Sequence, residues 1–112
     1  MKIIKKFSFD SAHYLPNYKG KCKQLHGHTY HLEVIIEGEI NSDTGMIMDF
    51  AKLKYIVNSK AINALDHKLL NDIMEIPTAE NIVTWIKNQI VKDIPGIVTL
   101  KLWETDDSYV EL

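Results

Sequence analysis

The sequence predicts a single α+β domain over residues 1–112, with an antiparallel sheet and two helices packed on one face. Two segments near the start of the chain and two near its end alternate between apolar and polar residues, which is the period of a half-buried strand. Between them lie two segments with apolar residues at every third or fourth position, the period of a helix. Strands on both sides of a helical pair are typical of the α+β class.

The first two strands are predicted over residues 3–13 and 26–37, separated by a loop over residues 14–25 that contains Pro, Asn and Gly. In the first strand, one parity is mostly apolar and ends in a histidine: Phe7, Phe9, Ser11 and His13. In the second, one parity begins with two histidines and continues with apolar residues: His26, His28, Tyr30, Leu32, Val34 and Ile36. His31 has the opposite parity, so we expect it on the exposed face.

The helices are predicted over residues 50–65 and from residue 78 to a stop at residues 95–96, where Pro is followed by Gly. Asp49 is a suitable N-cap for the first helix and Thr78 for the second. The predicted buried stripes are Phe50, Leu53, Val57, Ala61 and Ala64 in the first helix and Ile82, Ile86 and Ile90 in the second. A third strand then alternates from residue 98 to 104, and a turn leads to a short fourth strand at residues 109–111.

The amino-acid composition indicates which binding partners and which cellular location to expect. Of the 112 residues, 46% are hydrophobic and 25% are charged, and the formal net charge is −2. This balance gives no strong field for a nucleic-acid backbone or an anionic membrane, so we expect neither as a partner. The single cysteine, Cys22, excludes an internal disulfide, and there is no run of 18 apolar residues and no signal-like segment. We therefore expect a cytoplasmic protein, and its small size favours oligomerisation.

Three histidines are candidates for one metal site. His26 and His28 are two residues apart on a strand, so their imidazoles project from the same face. If the first two strands pair as antiparallel neighbours, His13 at the end of one lies beside this pair at the start of the other. Three imidazoles are a ligand set of catalytic zinc, which keeps a fourth position open, whereas structural zinc is usually closed by thiolates. The sequence therefore predicts Zn²⁺ bound by His13, His26 and His28.

Three further features could carry chemistry, and spacing alone leaves their roles open. Cys22 lies four residues before the second histidine, where a thiol can bind zinc, pack inertly or act as a base or nucleophile. Asp66 and His67 place a carboxylate beside an imidazole at a helix end, which suits proton transfer but is also common at helix ends. Glu104 continues the apolar parity of its strand, so either it binds N–H donors of a ligand or the strand frays there into solvent.

Five motifs in order resemble one known family. They are F-S-F-D-S-A-H ending at His13, C-x-x-x-H-G-H from Cys22 to His28, L-D-H at 65–67, P-T-A-E-N at 77–81 and W-E-T at 103–105. Together they resemble the 6-pyruvoyl-tetrahydropterin synthase family over about residues 5–105. The three-residue gap between Cys22 and His26 is similar to that of the 6-carboxy-5,6,7,8-tetrahydropterin synthases of queuosine biosynthesis. Branches of the family that make hydroxymethylpterin typically lack this cysteine.

The resemblance implies a T-fold (tunnelling-fold) subunit with element order ββααββ, assembled as a homohexamer with active sites between subunits. It implies zinc at the three histidines, and it implies proton transfer by Cys22, Asp66 and His67. It also implies pterin binding by Glu104, Thr78 and Glu80, although the last two equally suit the N-terminus of a helix.

The implied reaction converts 7,8-dihydroneopterin triphosphate and water to 6-carboxy-5,6,7,8-tetrahydropterin, acetaldehyde and triphosphate. A triphosphate needs cations, and the loop offers Lys19, Lys21 and Lys23, although exposed lysines are most often only solvated surface.

Three alternatives remain open at this point. A cupin would use the two strand histidines with Glu33, but this glutamate has the wrong parity and the helical centre does not suit an all-β barrel. A non-catalytic zinc module would close the site with Cys22 as a fourth ligand. The pyruvoyl-forming reaction on the same substrate differs only in the fate of the side chain, and the sequence separates the two reactions poorly.

Overall fold

The computed structural model describes residues 1–112. Its strands are β1 (Lys2–His13), β2 (His26–Glu37), β3 (Lys68–Leu69), β4 (Ile97–Thr105) and β5 (Ser108–Glu111). Its α-helices are α1 (Phe50–Val57), α2 (Asn63–Leu65) and α3 (Ala79–Ile90), and a π-helical turn at Asn58–Ile62 joins α1 to α2. The four longer strands and the two helical regions follow the predicted order.

The strands form one five-stranded sheet in the order β3-β1-β2-β4-β5. The pairs β1–β2, β2–β4 and β4–β5 are antiparallel, and β1 pairs with β2 along its whole length, with His13 opposite His26 and Ser11 opposite His28. β3 pairs in parallel with Ser11 and Ala12, so the sheet is mixed. The sequence does not reveal β3 because a two-residue strand has no periodicity.

The core lies between one face of the sheet and the helices. It contains 21 buried hydrophobic residues, and the sheet contributes the parity that the sequence predicts, from Phe9 in β1 to Leu102 in β4. The other face carries ion pairs such as Lys6 with Glu33, at 3.6 Å between Nζ and Oε1. His31 lies on this exposed face, as expected. Glu33 therefore points away from the strand histidines, which excludes the cupin arrangement.

Both predicted helix caps are present. The Asp49 side chain accepts a hydrogen bond from Ala51 N at 3.0 Å, and the Thr78 hydroxyl accepts one from Asn81 N at 3.3 Å. These bonds satisfy N–H groups that have no partner inside the helix.

The predicted stripe of the first helix is wrong at both ends. Phe50 is 50% exposed, because it lies at the helix start, where Lys5 Nζ sits 6.0 Å from its ring centre. Ala64 is exposed and Leu65 is buried in its place. The π-helical turn adds a residue to one turn, which moves the buried face forward along the chain by one position.

The turn before β4 requires a glycine. Gly96 has φ +78°, and a Cβ atom there would collide with the carbonyl oxygen of Glu37. Glycine at this position lets the chain enter β4 beside the end of β2. None of the helices combines the length and the hydropathy that crossing a bilayer would need.

Candidate metal centre and adjoining cavity

Three imidazoles converge at the end of the β1–β2 pair. Their ring centres lie 4.6–5.1 Å apart, and one ring nitrogen from each lies within 4.8 Å of the others. His13 Nε2 and His26 Nε2 are 3.0 Å apart. The strand register causes this convergence, because His13 lies opposite His26 and His28 follows two residues later on the same face.

Two of the rings are oriented by backbone carbonyls. His13 Nδ1 lies 2.8 Å from the carbonyl oxygen of Pro77, and His26 Nδ1 lies 2.7 Å from that of Gln24. Since a carbonyl only accepts, each Nδ1 donates and each Nε2 keeps its lone pair directed at the cluster. Metal-binding histidines are commonly fixed in this way.

The third ring carries a buried nitrogen without a partner. His28 Nε2 is buried and makes no hydrogen bond, and the nearest carboxylate oxygen, Glu104 Oε1, is 3.9 Å away. Burial lowers the pKa of His28, and repulsion from the other two histidines lowers it further against the attraction of Glu104. A neutral imidazole is the form that binds a metal. An unpaired buried nitrogen beside two directed lone pairs fits a zinc ion.

Cys22 does not belong to this cluster, whose members are the three histidines alone. It instead lines a neighbouring cavity of about 320 Å³. A hydrogen bond of 2.9 Å from Leu15 N to the carbonyl oxygen of Cys22 closes the loop that carries the thiol. The closed Cys-His₃ arrangement of a structural zinc module is therefore absent.

The same cavity contains the predicted pterin-binding residues. Thr78 and Glu80 come from the start of α3, and Glu104 comes from β4. Glu104 also lies beside the cluster, so one carboxylate borders both the cavity and the proposed metal position. The rest of the lining is provided by Leu15, Tyr18, Ala79, Ser108, Tyr109 and Val110. The lysines at positions 19, 21 and 23 do not line it.

Asp66 and His67 form a pair that contacts the backbone of Asp10 in β1. Asp66 Oδ2 and His67 Nδ1 are 3.0 Å apart, and Asp66 Oδ1 accepts a hydrogen bond from Asp10 N at 2.9 Å. The hydrogen bond from Asp10 and then the one from His67 lower the pKa of Asp66 below its usual value, so its carboxylate stays ionised at neutral pH. Neither residue lines the cavity that contains Cys22. The chain alone thus does not bring the three predicted proton-transfer residues together.

Two residues near these sites, Tyr30 and Asp10, were not among the functional residues that the sequence predicts. Tyr30 is fully buried, and its hydroxyl lies 3.4 Å from His13 Nδ1. Burial raises the pKa of Tyr30, so it remains a neutral phenol. Its parity with His26 and His28 was the available signal. Asp10 holds Asp66 through its backbone, and no residue pattern reveals such a contact.

The sequence of the chain is similar to proteins of one family. The model of the 6-pyruvoyl tetrahydropterin synthase family matches residues 2–112. The chain is 47% identical to a dihydroneopterin monophosphate aldolase of Pyrococcus furiosus, covering 99% of this chain and 96% of the relative. It is 40% identical to a 6-carboxy-5,6,7,8-tetrahydropterin synthase of Synechocystis sp., covering 92% and 85%, and 36% identical to one of Haemophilus influenzae, covering 98% and 96%.

The fold also matches a solved structure. The 6-pyruvoyl tetrahydropterin synthase of Caenorhabditis elegans superposes with a TM-score of 0.90 at 23% identity, covering 100% of this chain and 94% of that one. At this identity the likeness concerns the fold alone, and it confirms the predicted T-fold.

Proposed function

This chain belongs to the 6-pyruvoyl tetrahydropterin synthase family, and on that basis we propose that it is a zinc-dependent 6-carboxy-5,6,7,8-tetrahydropterin synthase. The reaction would convert 7,8-dihydroneopterin triphosphate and water to 6-carboxy-5,6,7,8-tetrahydropterin, acetaldehyde and triphosphate, as a step of queuosine biosynthesis.

One observation carries this proposal: a buried, unpartnered imidazole nitrogen in a cluster of three histidines, beside a cavity that contains a thiol and a carboxylate. His28 supplies the nitrogen, and Cys22 and Glu104 supply the other two groups. A three-histidine set leaves a fourth coordination position for a substrate oxygen. A purely structural zinc site would leave no such position.

Each group of the site has a role in this reaction. Bound zinc supplies Lewis acidity toward the hydroxyls of the substrate side chain. The Glu104 carboxylate accepts two charge-assisted hydrogen bonds, one from the amino group and one from the neighbouring ring N–H of the pterin. This pair of bonds orients the substrate side chain toward the histidines. The Cys22 thiolate removes a proton, and His67, held by Asp66, returns one. Thr78 and Glu80 complete the pterin contacts at the start of α3.

We also propose a homohexamer with active sites between subunits. Support comes from the position of Asp66 and His67, which lie outside the cavity of their own chain and are exposed enough to approach another. A second subunit can then complete the proton-transfer set. The lone thiol suits a cytoplasmic location, where cysteines stay reduced.

Two other activities are candidates. The Pyrococcus furiosus relative favours aldolase activity on dihydroneopterin monophosphate, because 47% identity extends over nearly the whole of both chains. The presence of Cys22 favours the carboxy-forming reaction, since branches that make hydroxymethylpterin typically lack this cysteine. The pyruvoyl-forming reaction uses the same triphosphate substrate and the same site.

Analysis of the reaction products distinguishes among these three activities. The zinc-loaded protein is incubated separately with dihydroneopterin triphosphate and with dihydroneopterin monophosphate, and the pterin products are identified by mass spectrometry. We expect 6-carboxy-5,6,7,8-tetrahydropterin from the triphosphate. A pyruvoyl product from the triphosphate, or a hydroxymethylpterin as the main product from the monophosphate, would replace the proposal by the corresponding activity.

A further inference from the structure

β1 contacts the Asp66–His67 segment at three points. The Ser11 hydroxyl donates to the carbonyl oxygen of Leu65 at 2.5 Å, in a buried position. Asp10 N donates to Asp66 Oδ1 at 2.9 Å, and His67 N donates to the carbonyl oxygen of Asp10 at 2.6 Å. Only the first contact uses a side chain of β1, so it is the one that a substitution in this strand can remove.

The segment that Ser11 contacts has a conformation that needs support. His67 has φ +58°, the left-handed region that residues other than glycine rarely occupy. Such a conformation persists only where the surrounding contacts fix it. The sheet pairing that follows is short, because β3 contains only Lys68 and Leu69. The position of His67 is therefore set by its backbone bond to Asp10, by its pairing with Asp66 and by the contact of Ser11 with the preceding Leu65.

Ser11 also lies within the strand segment that carries the histidine cluster. It is opposite His28 and two residues before His13, and its side chain is 6% exposed. A hydroxyl at this position links the end of α2 to β1, the strand that holds His13, one of the three proposed metal ligands. This contact is thus one of the three that join the Asp66–His67 segment to the strand on which His13 lies.

We propose that Ser11 is a positioning residue that fixes the Asp66–His67 pair relative to the histidine cluster. It acts through the carbonyl group of Leu65 and does not line the cavity. The effect on turnover rests on the proposed function, but the effect on the position of His67 does not, since it can be measured without a substrate.

Three variants test this proposal in the full-length zinc-loaded protein. Ser11→Ala removes the hydroxyl, Ser11→Thr keeps it, and Ser8→Ala is a control on the exposed face of the same strand. Hydrogen exchange followed by NMR reports whether the hydrogen bond from His67 N still forms. In Ser11→Ala, we expect exchange at His67 to rise about tenfold or more, with core amides such as Leu100 changed less than about threefold. Ser11→Thr and Ser8→Ala should stay within about threefold of wild type.

Kinetics provide the second measurement. In Ser11→Ala, we expect kcat to fall about tenfold or more while KM and zinc content stay within about twofold, because only the transition-state geometry changes. The proposal is overturned if exchange at His67 is unchanged, if it rises equally throughout the molecule, if Ser11→Thr behaves as Ser11→Ala does, or if Ser11→Ala does not fold. A wild-type protein that turns over no dihydroneopterin phosphate would refute the proposed function, and the exchange data would still decide the role of Ser11.

Discussion

Cys22 lies in the wall of the cavity but outside the histidine cluster, and this position separates two roles for its thiol. If Cys22 bound zinc, removing its thiol would release the metal. If it transfers a proton, removing the thiol would lower turnover and leave the metal bound. We expect Cys22→Ala to keep its zinc and its fold and to lose most of its turnover, at least about a hundredfold in kcat. Metal analysis and steady-state kinetics check both parts. Near wild-type turnover would show that the thiol has no part in the chemistry.

Glu104 is partly exposed, and the charged partner of its carboxylate is His28, whose Nε2 lies 3.9 Å from Oε1. A pterin would supply two adjacent N–H donors to its carboxylate. Glu104→Gln keeps the shape but replaces one acceptor by a donor, so one N–H group of the pterin loses its partner. We expect pterin affinity to fall about a hundredfold, or ~3 kcal/mol, with zinc content unchanged.

Calorimetric titration with a pterin measures this change. Glu33→Gln is a suitable control, because it makes the same substitution on the exposed face of the sheet. Equal pterin affinities for Glu104→Gln and wild type would remove Glu104 as the pterin anchor.

At the scale of elements, the two capped helices allow a matched comparison. Asp49 and Thr78 make the same kind of cap bond, but only Thr78 lines the cavity. Each substitution to alanine should lower the free energy of unfolding by about 1 kcal/mol. Only Thr78→Ala should also weaken pterin binding, as measured by titration. If both variants bind pterin as wild type does, Thr78 serves the helix alone.

The sequence predicts most elements because their residues repeat with a clear period. Parity identifies β1, β2 and β4 and the sides of the sheet on which His13 and Glu33 lie. Periodicity fails in the first helix, where the π-helical turn buries Leu65 in place of Ala64. It also fails for β3, which forms through contact with β1 and not through a pattern of its own.

The sequence likewise predicts one part of the candidate site and not the other. Parity and pairing bring the three histidines together, because strand geometry fixes where their side chains point. The separation between Cys22 and the Asp66–His67 pair is not predictable, since it depends on a loop and on backbone hydrogen bonds to Asp10. Motifs identify these residues, but their separation in space follows from contacts that no periodicity reveals.

At the scale of the whole molecule, the proposal that active sites are shared between subunits predicts that two inactive variants complement each other. Cys22 lines the cavity of its own chain, while His67 is 77% exposed elsewhere on the surface. Cys22→Ala and His67→Ala should each be nearly inactive alone. After mixing, dissociation and reassembly, about a quarter of the sites would combine an intact thiol with an intact imidazole. We expect a corresponding return of activity, and no return would show that each site draws both groups from one chain.

The central claim is that His13, His26 and His28 hold a catalytic zinc ion, and metal analysis of the purified protein tests it most directly. Wild type and His28→Ala are compared with His31→Ala, which removes a histidine from the exposed face of the same strand. We expect one zinc per chain in wild type and in His31→Ala. In His28→Ala, we expect most of the metal to be lost while the circular dichroism spectrum of the fold is kept. Full zinc occupancy in His28→Ala would contradict the account.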